Sequence, residues 1–140
     1  MFKWQIRHLI VILLASLSVY LIEQSSNWNE MHSWNRATGD TSLFMIAFAL
    51  IIGPLTKIFP RSVWLIPWRR ELGIYAVILA LIHIAIIIVG WVEWDLITLF
   101  GFKSDPSLEG YLMSQRGFGL GNLLGVIAIF YGLLLAFTSN

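Results

Sequence analysis

The 140-residue chain has no cysteine, which excludes iron–sulfur ligation by its own residues, a disulfide framework and thiol catalysis together. Charge is scarce too. Asp, Glu, Lys and Arg make up 12% of the chain and the formal net charge is +1, which offers no electrostatic footprint for nucleic acid, so no nucleic-acid partner is expected. Only three histidines are present. None begins a His-x-x-x-His or His-x-x-Glu pair, so the ligand spacing of a chelated metal site is missing. Proline occurs four times. Pro54, Pro60 and Pro67 fall close together, where a helix must end and the chain must turn. No repeat, linker or low-complexity stretch divides the chain, which reads as a single domain, 1–140.

What the chain does have is apolar residues, 58% of the total, gathered into four blocks separated by short polar stretches. That is the composition of an all-α polytopic membrane protein. The blocks predict four transmembrane helices in a bundle, about His8–Ile22, Thr41–Ile58, Glu71–Trp91 and Leu120–Phe137, each near the ~20 residues that a ~30 Å hydrocarbon core requires. The first is the shortest and extends to Trp4 if Lys3 and Arg7 snorkel to the headgroups. Lys3, Arg7 and the following apolar core also fit a cleaved leader loosely, but no clean small-x-small site follows.

Loop charge sets the expected orientation. The N-terminal arm and the second connection hold Lys3, Arg7, Lys57, Arg61, Arg69 and Arg70 against the single acid Glu71. The other two connections hold Arg36, Lys103 and Arg116 against Glu23, Glu30, Asp40, Glu93, Asp95, Asp105 and Glu109. The positive-inside rule then puts both termini in the cytoplasm, and a bacterial inner membrane is the expected location. Residues Glu23–Asp40, with Trp28 and Trp34, read as a polar external loop on the membrane surface. The longer external stretch, Glu93–Arg116, reads as a short amphipathic segment, Asp95–Phe102, followed by a turn at Ser104-Asp105-Pro106.

Candidate chemistry centres on His83, the one imidazole deep in an apolar run. An ionisable group there is a functional candidate by default, and neutral imidazole is a common ligand of haem iron. Counting from Glu71 and Trp91, at ~1.5 Å per residue, it lies roughly 18 Å from the cytoplasmic end and 12 Å from the external one. At helical spacing Gly73, Ala76, Ala80, His83, Ile87 and Gly90 share a stripe, mostly small residues that let a second helix or a flat macrocycle approach closely. The stripe fits haem ligation and also a plain helix–helix contact in which His83 hydrogen-bonds across the interface. Gly117, Gly121 and Gly125, four apart, form a second small-residue face, and the two faces are expected to pack together. His8 reads as interfacial and His32 as solvated. Arg69 and Arg70 read as topology anchors that can also hold an anionic lipid or a haem propionate.

Several of these pieces together carry a family resemblance. Thr38-Gly39, Gly53-Pro54-Leu55, Arg69-Arg70-Glu71-Leu72-Gly73, Leu81-Ile82-His83 and Thr138-Ser139-Asn140 resemble the ferric reductase-like transmembrane domain family, over about Thr38 to Asn140. Within it they are most similar to haem-binding membrane subunits that serve a periplasmic methionine sulfoxide reductase. The resemblance implies haem b between helices with His83 as one axial ligand, Arg69, Arg70, Ala76 and Ala80 around the cofactor, and electron transfer from a quinol or flavin donor. The family takes its second axial histidine from a later helix, and neither His8 nor His32 lies at matching depth. The second ligand is then expected from a C-terminal continuation or another membrane subunit. The alternative is an accessory subunit that packs within a larger complex without haem.

Overall fold

A computed structural model of the chain describes residues 2–105, 110–113 and 116–138. Four long helices dominate it: α1 (Phe2–Gln24), α2 (Glu30–Ile58), α3 (Trp68–Gly90) and α5 (Arg116–Thr138). Each is long and apolar enough to cross a membrane. A 3-10 turn, Pro60–Leu65, joins α2 to α3, while the α3–α5 connection contains the one-turn helix α4 (Leu96–Leu99) and a hairpin of strands β1 (Phe102–Asp105) and β2 (Gly110–Met113). The strands pair antiparallel, with Phe102 opposite Met113 and Asp105 opposite Gly110. The expected turn at Ser104-Asp105-Pro106 is replaced by β1 over its first two residues, and Pro106 lies outside the described residues, as do Ser139 and Asn140.

The largest departure from expectation is at α2. The helix begins at Glu30, so most of the stretch read as a surface loop is helical. Asn29 caps it, its side-chain oxygen accepting from the His32 N–H at 2.9 Å, and Glu30 in the first turn and Lys57 in the last complement the helix dipole. Ser33, Ala37, Thr41 and Met45 recur at one-turn intervals and are all buried. This face is polar by composition but small in volume, and it packs against α3 in the most extensive helix contact of the fold. Pro60 opens the 3-10 turn and Pro67 precedes α3, where a missing backbone donor does little harm, whereas Pro54 sits inside α2 and removes a helical hydrogen bond one turn before its end.

Around α3 the core is compact. Val11 and Ala15 of α1, Met45 of α2 and Ala76 of α3 form one buried cluster, flanked by Trp68, Leu72, Tyr75 and Leu79. The expected pairing of glycine faces does not occur. A Cβ built at Gly73, Gly117, Gly121 or Gly125 would meet nothing within 4 Å, so the glycine row of α5 faces open space. Instead α5 is tied to the α3–α5 connection, where Gly119 abuts the Phe100 carbonyl and Asn122 Nδ2 donates to Leu99 O at 2.8 Å. The close helix approaches belong to α2 and α3, where Gly90 lies against Met31 and Gly39 against His83.

Candidate functional site

His83 lies near the middle of that α2–α3 contact. Its ring is partly buried, and Nδ1 is 2.9 Å from the backbone oxygen of Asn35. The approach depends on Gly39. A Cβ there would sit 2.9 Å from both Nδ1 and Cε1 of the ring, closer than side-chain atoms pack. Thr38, between Asn35 and Gly39, donates its hydroxyl to the carbonyls of Trp34 (2.9 Å) and Asn35 (3.1 Å). One turn of α2 thus holds one face of the imidazole. His83 Nε2 has no hydrogen-bond partner among the described residues.

The other residues singled out in the sequence fall at different heights. Ala76, two turns before His83, is 0% exposed, and its carbonyl accepts from Ser42 Oγ at 2.8 Å, so the helix contact itself fills that part of the stripe. Ala80 is partly buried on the turn between them. Arg69 Nε donates to the Ala49 carbonyl at 3.0 Å, five residues before Pro54. Arg70 is exposed. Both arginines are thirteen or more residues from His83 along α3, roughly 20 Å at the helical rise.

At the basic end of the bundle the structure assembles a polar cluster that the sequence did not suggest. Arg7 of α1 reaches Glu71 of α3, Nε to Oε1 at 3.0 Å, with the Glu71 side chain 1% exposed and that of Arg7 26% exposed. The second carboxylate oxygen, Oε2, is buried without a partner. One turn along, His8 Nδ1 lies 3.0 Å from the Tyr75 hydroxyl, and Trp4 meets the His8 ring edge-on at 4.4 Å. His8 is therefore a contact between α1 and α3 and not merely an interfacial side chain. His32, at the opposite end, is not simply solvated either. It stacks on Trp28 with ring centres 4.7 Å apart and meets Trp91 edge-to-face at 4.9 Å. A cleft of about 440 Å³ beyond the end of α3 is lined by Trp91, Glu93, Asp95, Thr98, Lys103 and Phe118, among others.

Asn35 and Gly39 escaped the sequence reading of the site because a backbone carbonyl leaves no mark in sequence. The only available signal was the Thr38-Gly39 pair, noted for its resemblance and not for its contact. No group of three or more His, Cys, Asp or Glu side chains able to hold a metal ion occurs among the described residues, which leaves a ligand set of one imidazole at this depth.

Neither the curated proteins nor the solved structures compared with the chain gave a match. A comparison with protein families matched residues 38–140 to the ferric reductase-like transmembrane component. That span begins at the Thr38-Gly39 pair, takes in the whole of α3 and continues through α5. With most of its length covered, the chain belongs to the ferric reductase-like transmembrane family.

Proposed function

We propose that this chain is the membrane part of an electron-transfer system and carries haem b on His83. Family membership supports a transmembrane electron-transfer role. The finer reading rests on one observation: an imidazole deep in α3 is held by one nitrogen and has no partner at the other. That donor set fits one axial position of a haem and no more, because His8 and His32 are engaged at opposite ends of the bundle. The second ligand comes from another subunit or a continuation of the chain. When bound, the haem supplies a one-electron redox centre. The protein's own residues orient the ring, wall the site with Ala80 and neighbouring aliphatic side chains, and keep the polar backbone of α2 and α3 satisfied.

The charge split between loops supports cytoplasmic termini, with the Glu93–Arg116 connection outside, in a bacterial inner membrane. Arg69 and Arg70 then lie at the cytoplasmic surface, suited to anionic headgroups. His83 falls in the outer half of the bilayer, which suits delivery of electrons outward from a cytoplasmic flavin or a membrane quinol. A periplasmic methionine sulfoxide reductase is the acceptor whose haem subunit the motifs resemble most.

The Nδ1 bond to a carbonyl is also what a purely structural histidine would make, and it supports the second reading, an accessory subunit without haem. A reduced-minus-oxidised spectrum of the chain in its native membrane separates the two. A b-type band that disappears in His83→Ala, with all four helices still inserted, is the expected result. No band in the native chain, or an undiminished band in the variant, overturns the haem reading.

A further inference from the structure

This inference rests on the proposed ligand role of His83 and concerns how its ring is prepared. A backbone carbonyl has no proton to give, so at 2.9 Å from Asn35 O the Nδ1 of His83 must be the donor. In the neutral ring this leaves the lone pair on Nε2, the atom with no partner among the described residues. Gly39 sets the orientation. Nδ1 and Cε1 are the ring atoms nearest to it, so the Nδ1–Cε1 edge faces α2, and Nε2 is not among the three ring atoms closest to Gly39. Thr38 acts on the acceptor. Its hydroxyl is shared between the Trp34 and Asn35 carbonyls, so Thr38 bonds the same main-chain oxygen that accepts from His83.

We propose that Thr38 and Gly39, acting through the Asn35 carbonyl, are positioning residues that fix His83 as its Nδ1–H tautomer and present Nε2 as the ligand atom. Residues that orient a ligating histidine through its other nitrogen settle its tautomer and its basicity before the metal arrives. The Thr38-Gly39 pair thereby gains a physical role. Gly39 leaves room for the ring, and Thr38 bonds the carbonyl that the ring bonds.

The test uses the full chain in micelles, without haem and with ¹⁵N-labelled histidine, since three histidines give an assignable spectrum. His83 is expected as the Nδ1–H tautomer. In Gly39→Ala, where the new Cβ displaces the ring, the population should move to the Nε2–H form. Unchanged His8 and His32 signals would report an intact fold. Thr38→Val, which keeps volume and loses the hydroxyl, should move it in the same direction, whereas Gly121→Ala, placed in open space, should not. On haem titration Gly39→Ala should bind about 10- to 100-fold more weakly than the native chain. An Nε2–H tautomer in the native chain, a tautomer unmoved by Gly39→Ala, or unchanged haem affinity in that variant overturns the proposal. If the native chain takes up no haem in micelles, without the partner that supplies the second ligand, the tautomer measured in the same sample still decides this inference, and the spectrum in the native membrane decides the proposed function.

Discussion

Replacing Arg7 by Met should be the most damaging single change at the basic end of the bundle, and the structure allows its size to be worked out. Glu71 is 1% exposed and receives only one hydrogen bond, from Arg7 Nε at 3.0 Å to Oε1, while Oε2 has none. Without Arg7 the carboxylate is left buried and uncompensated. Breaking a buried pair by removing one partner costs about 3–5 kcal/mol. Two features favour the lower end. The Arg7 side chain is 26% exposed, so part of the pair is already solvated, and a chain unfolded within lipid finds substitute partners for its polar groups. The expected loss is therefore ~3 kcal/mol, roughly a 150-fold fall in the folded-to-unfolded ratio.

The companion variants make the argument specific. Glu71→Gln strands the arginine instead, but a long side chain already partly exposed can turn to the headgroups, so its cost should be nearer ~1 kcal/mol. In the double variant Arg7→Met with Glu71→Met no charge is left to strand, and apolar packing should restore stability to the native level or exceed it by about 1–4 kcal/mol. Reversible unfolding in mixed micelles, arranged as a double-mutant cycle, measures all three. A cost below about 1 kcal/mol for Arg7→Met, or a double variant worse than both single ones, would refute the reasoning.

The glycines offer a second contrast: Gly121→Leu projects into open space and should change stability by no more than about 0.5 kcal/mol. Gly90→Leu meets Met31 in the α2–α3 contact and should cost about 1–3 kcal/mol in the same unfolding assay. For topology, reporter fusions at Asn140 and near Asn29 should give cytoplasmic and external activity respectively, and external activity at Asn140 would overturn the orientation drawn from loop charge.

The spans were legible in the sequence because crossing hydrocarbon demands an apolar run of fixed length, and nothing else in a short chain produces four of them. The first eleven residues of α2 were not, because the usual signal is apolar periodicity and here the buried positions are Ser33, Ala37 and Thr38. Small polar residues at helical spacing pack as closely as alanine when a facing helix supplies hydrogen bonds. The pattern was present at intervals of four but concealed by its polarity. Glycine rows mislead for the opposite reason. Spacing shows that Gly117, Gly121 and Gly125 share a face, but it cannot show what that face meets, and here it meets nothing within reach. Arg7 and Glu71 were visible only as loop charges. Their pairing joins positions 64 residues apart, and only the packing of α1 on α3 reveals it. At the candidate site the imidazole was legible and its support was not, since the acceptor is main chain.

The three polar ties of α3 bear on function jointly. Glu71 bonds to α1, the Ala76 carbonyl to Ser42 of α2, and His83 to the Asn35 carbonyl of α2, at successive heights separated by roughly 7 and 10 Å along the helix. A helix secured at one height can still rotate about its axis or slide. Secured at three heights against two partners it can do neither without breaking a hydrogen bond at each of them, at about 0.5–1.5 kcal/mol apiece. The orientation of the His83 ring is therefore tied to the packing of α3 on α1 and α2, and if His83 serves as the proposed ligand, that packing supplies part of its ordering cost in advance. By contrast α5 meets the α3–α5 connection near its start, at Gly119 and Asn122 among others, and leaves the face of Gly117, Gly121 and Gly125 open. The three helices that the polar ties join, α1, α2 and α3, include the one that carries the imidazole.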